Sequence, residues 1–284
     1  MLRIATCRPL PEPDPDENLL LEALAARGVA ARMVAWNDAS ESWETGSTLI
    51  RSTWDYVHHL DDFLRWIDRA AHSLWNPAAV LRDNVHKSYL LRLAKAGVPV
   101  TPTVLATRGS TRSLFDLIAE QRWHDVVVKP AVGAGSFATH RLRDIGASPS
   151  QTIFTDLLAQ HDMLIQPYLE SVEGHGERAL VWIDGTFTHA VRKTPRFAAD
   201  IEVVSEALPI AADEQAVAEH ALTVALSGAG VAARELLYAR VDVARDARGQ
   251  VVVMELELVE PSLFLLQSPL ALERFVTAIA SRLS

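Results

Sequence analysis

The chain reads as an α/β (α+β) protein whose sheets change character along its length, parallel in the first third and antiparallel in the last. Three observations carry this. Short apolar runs alternate with helical periodicity over the first 85 residues, the pattern of a small parallel-sheet unit. Late in the chain, two pairs of apolar runs are joined by turn residues instead of helices: Asp184-Gly185, a type I′ hairpin signal, and the longer Arg245-Asp246-Ala247-Arg248-Gly249-Gln250. Between these regions a very apolar strand runs straight into a glycine loop, Val126-Val127-Val128-Lys129-Pro130-Ala131-Val132-Gly133-Ala134-Gly135-Ser136.

The elements follow in order. Residues 2–6 form a strand, and the loop Pro9-Leu10-Pro11-Glu12-Pro13-Asp14-Pro15 leads into a helix over 16–27 that Gly28 stops. Strands are expected at 31–36 and 48–51, and Leu60, Leu64, Ile67 and Ala71 recur at helical spacing. The texture changes at Asn76-Pro77. A helix over 85–96 is closed by Gly97 and barred from continuing by Pro99 and Pro102. Then come a strand at 103–106, a helix at 113–121, strands at 126–128 and 139–142, a helix at 150–160 and a strand at 163–166. The two hairpins pair 179–183 with 187–191 and 236–244 with 251–258, and helices fit 213–226 and 270–283. Three units result: an N-terminal α/β unit (1–85), a central small unit (86–166) and a C-terminal antiparallel unit (167–284). Neither an internal repeat nor a low-complexity segment interrupts them.

Hydrophobic residues make up 49% of the 284 residues and charged ones 22%, the balance of a folded globular chain and not a disordered one. The net charge of −9 argues against a surface devoted to nucleic-acid phosphate, which needs excess Lys and Arg. Cys7 is the one cysteine, so an intrachain disulfide and a cysteine-based zinc site are both excluded. No run of about 18 apolar residues exists to span a membrane, and the N-terminal apolar stretch is too short for a signal peptide. The expectation is a cytoplasmic protein.

Four stretches carry candidate chemistry. In the first, Lys129 ends a buried strand before a loop containing Gly133, Gly135 and Ser136. Glycines let backbone N–H groups approach an anion, and the lysine adds a point charge, so the stretch suits a polyphosphate; the alternative is a hairpin loop with a solvated lysine. The segment Gly133-Ala134-Gly135-Ser136-Phe137-Ala138 also matches a loose dinucleotide pattern. That motif requires a strand immediately before and a helix immediately after, whereas here four residues intervene and 139–142 continues as strand. A Walker A loop is absent.

The second stretch is Arg240-Val241-Asp242 with Glu255-Leu256-Glu257, on the two strands of the long hairpin. Residues two apart on a strand share a face, so Glu255 and Glu257 point the same way. Hard oxygen donors in this arrangement suit Mg²⁺, which takes few carboxylates plus substrate phosphates; a solvated edge-strand face is the alternative. The third is Met163-Leu164-Ile165-Gln166-Pro167-Tyr168-Leu169, a strand ending in proline, whose unpaired backbone groups can read a base edge or merely cross between domains.

The fourth group is scattered. Lys87 opens the second unit, Arg192-Lys193 ends a hairpin strand, and Arg51-Ser52-Thr53-Trp54-Asp55-Tyr56 follows a strand of the first unit. Ligands in parallel α/β sheets bind at strand carboxyl ends, so Arg51, Ser52, Trp54, Asp55 and Tyr56 are candidates for substrate contact, although Trp54 and Tyr56 serve equally as packing residues. The ten histidines show no metal-ligand spacing, and no G-x-S-x-G elbow supports a hydrolase nucleophile.

Taken in order, Lys87, Lys129 with its glycine loop, the hinge Gln166-Pro167-Tyr168-Leu169 and the late-strand acids resemble the ATP-grasp superfamily over residues 85–265. The stretch Arg240-Val241-Asp242…Glu255-Leu256-Glu257 looks like the R-V-D…E-V-N segment of D-alanine–D-alanine ligases, with Glu257 where that family usually has Asn. The first 85 residues fit its pre-ATP-grasp domain. Arg51–Tyr56, Leu74-Trp75-Asn76-Pro77 and His189-Ala190-Val191-Arg192-Lys193-Thr194-Pro195 resemble a bacterial group that includes D-cycloserine synthetase.

The resemblance implies an ATP-grasp fold with a central lid, and a C–N-bond-forming, ADP-forming ligase that uses ATP and two Mg²⁺ ions. It implies that Lys87 and Lys129 contact phosphates, that Gln166, Tyr168 and Leu169 frame adenine, and that Glu173, or another acid up to Glu177, holds ribose. Asp242, Glu255 and Glu257 would bind the metal, and Arg240 with Arg192 or Lys193 would stabilise the acyl-phosphate. The implied partner is an amino-acid-like small molecule, O-ureido-D-serine in the cycloserine-forming case; members of the family often form homodimers. Intermolecular peptide-like ligation and ATP binding without catalysis are the rival readings.

Overall fold

The computed structural model describes residues 1–143, 148–194 and 203–283, which form three sheets. In the N-terminal unit β1 (Leu2–Thr6), β2 (Ala31–Ala35) and β3 (Ser47–Ile50) form a parallel sheet in the order β2-β1-β3, with α1 (Asp16–Ala26) crossing from β1 to β2. Alternation along β1 sends Leu2 and Ile4 to one core and Ala5 to another. The second of these cores is aromatic: Trp36, Trp43, Tyr56, Phe63 and Trp66 pack beneath α2 (Leu60–Ala70), with Tyr56 stacked on Phe63 at 4.6 Å between ring centroids.

The expected helix over 85–96 is the shorter α4 (Tyr89–Lys95), and a separate helix, α3 (Ala78–Asn84), precedes it. Residues 85–88 turn between them because the Lys87 N–H is committed to the Ala131 carbonyl at 2.7 Å and cannot continue a helical ladder.

The central sheet runs β4-β7-β5-β6, all antiparallel, from β4 (Val104–Ala106), β5 (Val126–Pro130), β6 (His140–Leu142) and β7 (Met163–Pro167). Helices α5 (Leu114–Gln121) and α6 (Ser148–Leu158) close a core of Leu117, Ile118, Val126, Val128, Phe154 and Ile165. A short helix, α7 (Ser171–Gly174), carries the chain to the C-terminal sheet.

That sheet runs β11-β10-β8-β9, from β8 (Glu177–Ile183), β9 (Thr186–Lys193), β10 (Tyr238–Arg245) and β11 (Val251–Glu257). Asp184 (φ 43°) and Gly185 (φ 93°) give the expected type I′ turn. One face packs on α8 (Ala212–Ala229) through Ala218, Leu222 and Leu226, in a core that also takes Tyr89, Leu90 and Leu93. So α4, which opens the expected central segment 86–166, packs with the C-terminal sheet. The other face shares a core with Leu2, Ile4, Leu20 and Leu24 through α9 (Pro269–Leu283), whose Phe275 and Ile279 bind the two ends of the chain together. Among the described residues, no helix is long and apolar enough to cross a membrane.

Candidate active site

The site is built on an edge strand. Left bare, β11 would expose a row of backbone donors and acceptors, and residues 76–101 cover them. Asn76 donates to the Leu258 carbonyl, and Asn84 bonds both the Leu256 carbonyl and the Leu258 N–H at 2.8 Å. The Tyr89 hydroxyl accepts from the Leu256 N–H, while Pro99 and Thr101 bond Val253. A bulge lies between the pairs Asp242–Glu255 and Val243–Val253, so Met254 is the extra residue. Bulges re-aim side chains: Met254, Glu255 and Glu257 all line a cavity of about 560 Å³ between the three sheets.

Acids and cations alternate across this cavity. Lys129 reaches over from the central sheet to Glu255 Oε1 at 2.5 Å, and Lys87 lies 3.8 Å from Glu255 Oε2. Arg240 grips Asp242 through Nε (2.8 Å) and Nη2 (2.9 Å) and also bonds Glu257 at 2.6 Å. Lys193 bridges Asp242 (2.6 Å) and Glu177 (2.5 Å). Burial pushes every one of these carboxyls toward neutrality. Around Asp242 it is outweighed by Arg240 and Lys193, which hold that group well below the usual carboxylate range. Around Glu255 it is outweighed by Lys129 and Lys87, giving about 2. In Glu257 and Glu177 burial prevails over the neighbouring cation, and both are raised.

One wall of the cavity is the turn after β5. The Lys87 ammonium donates to the Gly133 carbonyl at 2.6 Å, and Gly133, Gly135 and Ser136 line the wall. Gly135 sits at φ +56°, which favours glycine. Phe137 stands edge-on between His58 (5.0 Å) and His161 (5.8 Å) and ties the loop to the N-terminal unit. Gln166, Tyr168 and Leu169 also line the cavity, and Gln166 donates to Thr103 Oγ1 at 2.9 Å.

Thus Lys87, Lys129, Gly133, Gly135, Ser136, Gln166, Tyr168, Leu169, Lys193, Arg240, Glu255, Glu257, Trp54 and Tyr56 converge on one cavity. Other expected residues lie elsewhere. Arg192 alternates with Lys193 on β9 and points outward, its side chain laid over Gly176. Glu173 is tied outside the cavity to Arg141 (2.7 Å) and the Tyr168 hydroxyl (2.9 Å); Glu177, the other end of the expected ribose stretch, lines it. Arg51 is buried against the Tyr238 ring, Ser52 bonds Thr6 Oγ1, and Asp55 accepts from the Trp36 indole, so these three shape the N-terminal unit without lining the cavity. Pro195 lies outside the described residues. Asp242 is fully buried, accepts from Arg240 and Lys193, and does not itself line the cavity. Among the described residues no three His, Cys, Asp or Glu side chains lie close enough to hold a metal by themselves. The donors that do face the cavity, Glu255 and Glu257, fit a Mg²⁺ held jointly by carboxylates and phosphate oxygens.

Glu260 was not anticipated. It follows β11 in Glu260-Pro261-Ser262 and lines the cavity beside Trp54 and Tyr56; an acid just past the paired Glu255 and Glu257 was the available signal. Burial pushes its carboxyl up to about 7, against Lys87 and the Tyr56 hydrogen bond. A raised folded value means stability that is complete below the unfolded value and is lost as pH rises through the folded one. Glu260→Gln should therefore stabilise the ligand-free protein at pH 8 by up to about 3 kcal/mol, with the gain vanishing toward about pH 4. Urea melts at the two pH values test this, and a gain independent of pH would refute it.

Two four-stranded antiparallel sheets closing on lysines and acids are the arrangement of an ATP-grasp enzyme, and the comparisons with known proteins agree. Residues 2–76 match the family described as D-cycloserine synthetase DcsG, N-terminal domain. The cycloserine biosynthesis protein DcsG of Streptomyces lavendulae is 34% identical over 283 residues, covering 95% of this chain and 94% of that one. The crystal structure of D-cycloserine synthetase DcsG superposes with a TM-score of 0.88 at 33% identity, covering 100% and 99% of the two chains. The ATP-grasp ligase PsnB, complexed with a precursor variant, Mg and ADP, shares the fold at a TM-score of 0.63 and 15% identity, covering 100% and 98%. The chain belongs to the D-cycloserine synthetase family of ATP-grasp ligases, enzymes that form C–N bonds.

Proposed function

We propose that this enzyme uses ATP to close O-ureido-D-serine into D-cycloserine. The observation that carries the reading is the meeting of Lys129, from the central sheet, with Glu255, from the C-terminal sheet, at 2.5 Å in a cavity that also holds Lys87, Arg240 and Lys193. Similarity to a cycloserine biosynthesis protein over almost the whole chain supports the substrate. The polar residues divide by position: Gln166, Tyr168 and Leu169 frame the base, Lys87, Lys129 and the 133–136 loop hold phosphates, and Arg240 with Lys193 faces the substrate carboxylate. Glu255 and Glu257 would hold Mg²⁺, which when bound supplies positive charge to phosphate oxygens.

In this reading the substrate carboxylate takes the γ-phosphoryl of ATP, and the chain positions it and offsets the spreading negative charge. The oxyamine nitrogen then attacks the acyl carbon, phosphate departs and a five-membered ring closes. The carbamoyl group leaves with water as carbon dioxide and ammonia. The test incubates purified protein with ATP, Mg²⁺ and O-ureido-D-serine. Equal amounts of ADP and D-cycloserine are expected by coupled assay and mass spectrometry; no ADP, or ADP without the ring, refutes the reading.

A further inference from the structure

Asp242, Glu255, Glu257 and Glu177 each sit on a Lys or Arg of the chain. Among the described residues Glu260 has no cation within 4 Å. Its carboxylate lies close to the Tyr56 hydroxyl, a neutral group, and its backbone carbonyl accepts from the Trp54 indole at 3.2 Å. Both partners come from the N-terminal unit, whose Trp54 and Tyr56 line the same cavity as Arg240 and Lys193. A partly buried carboxylate whose neighbouring cations, Lys87 and Arg240, stand beyond ion-pair distance is costly unless a ligand brings a cation closer. An α-amino acid does: its ammonium is one carbon from the carboxylate that Arg240 and Lys193 face, so a lone acid near those cations matches the two charges of such a substrate.

We propose that Glu260, positioned by Tyr56, binds the substrate α-ammonium and selects amino acids over their desamino counterparts; this rests on the cyclisation proposed above. Tyr56 is a positioning residue, stacked on Phe63 with its hydroxyl beside the carboxylate. The shift of the Glu260 carboxyl toward neutrality agrees with an acid awaiting a cation.

The experiment compares O-ureido-D-serine with 3-(ureidooxy)propanoic acid, which lacks the amine, in the wild type, Glu260→Gln, Glu260→Asp and Tyr56→Phe. Glu260→Gln should raise KM for the amino compound about tenfold to a hundredfold, the range for a lost hydrogen bond to a charged group. KM for ATP should hold within about twofold, and turnover of the desamino compound should not fall. Glu260→Asp should recover part of the loss, and Tyr56→Phe should show a weaker form of the same KM effect. An equal loss on both substrates, or a loss confined to KM for ATP, overturns the assignment. Calorimetry with ATP and Mg²⁺ shows that each variant is folded. A wild type that binds ATP and Mg²⁺ but turns over neither compound sinks the cyclisation reading, an outcome distinct from intact turnover that is indifferent to Glu260.

Discussion

Glu255→Gln is expected to lower ADP release by at least about 10²–10³-fold, the scale for losing one charged group aimed at a transferring phosphoryl. Glu255 sits between the two lysines read as phosphate ligands, 2.5 Å from Lys129 and 3.8 Å from Lys87. It is ionised throughout the working range because those ammonium groups hold it at about 2 against burial. The amide keeps the shape and one acceptor oxygen but removes the charge that suits Mg²⁺ and that balances the lysines while the site is empty. The loss should therefore fall on kcat more than on KM for ATP, since Lys87, Lys129 and the loop at Gly133 still bind phosphate. ADP release with O-ureido-D-serine, alongside a melt to show that the variant is folded, decides the matter. Unchanged release would remove Glu255 from the chemistry and take the proposed metal site with it.

Much of this was legible because local rules suffice where one element decides its own shape. The spacing of Leu60, Leu64, Ile67 and Ala71 gave α2 to within a residue, and Asp184-Gly185 gave its hairpin. Strand alternation placed Glu255 and Glu257 on one face. The misses come from partners distant in sequence. Helical periodicity over 85–96 could not reveal that the Lys87 backbone is claimed by Ala131. Arg192 and Lys193 are adjacent cations, and only the phase of β9 against β8 shows that Lys193 faces the cavity. Glu173 is drawn away by Arg141, a residue 32 positions earlier. Arg51, Ser52 and Asp55 follow β3 as expected of ligand-binding residues, yet contacts to Tyr238, Thr6 and Trp36 absorb them. Glu260 stands in the sequence just past the paired Glu255 and Glu257, but that it lines the cavity beside Trp54 and Tyr56 shows only once the units assemble.

Asp242 illustrates a dependence no motif conveys, and its removal should cost more stability than any other single change at the site. It is fully buried, accepts from Arg240 Nε and Nη2 and from Lys193, and neither cation has much water to retreat to. Breaking a buried pair by deleting one partner leaves uncompensated charge and costs about 3–5 kcal/mol. Asp242→Asn should approach that loss at pH 7 in urea melts. Removing one of the stranded cations should relieve it: Lys193→Met in the Asp242→Asn background should recover about 1–3 kcal/mol, a coupling expected of groups in contact. The pH sign agrees, since a depressed folded value gives stability that is present above the unfolded carboxyl value and lost as pH falls through the folded one. The wild type should lose its advantage over Asp242→Asn only in acid, below about pH 4. A cost under about 1 kcal/mol at pH 7, in the range of solvated surface pairs, would mean that water reaches this network and that Arg240 and Lys193 are not held in place for a substrate carboxylate by Asp242.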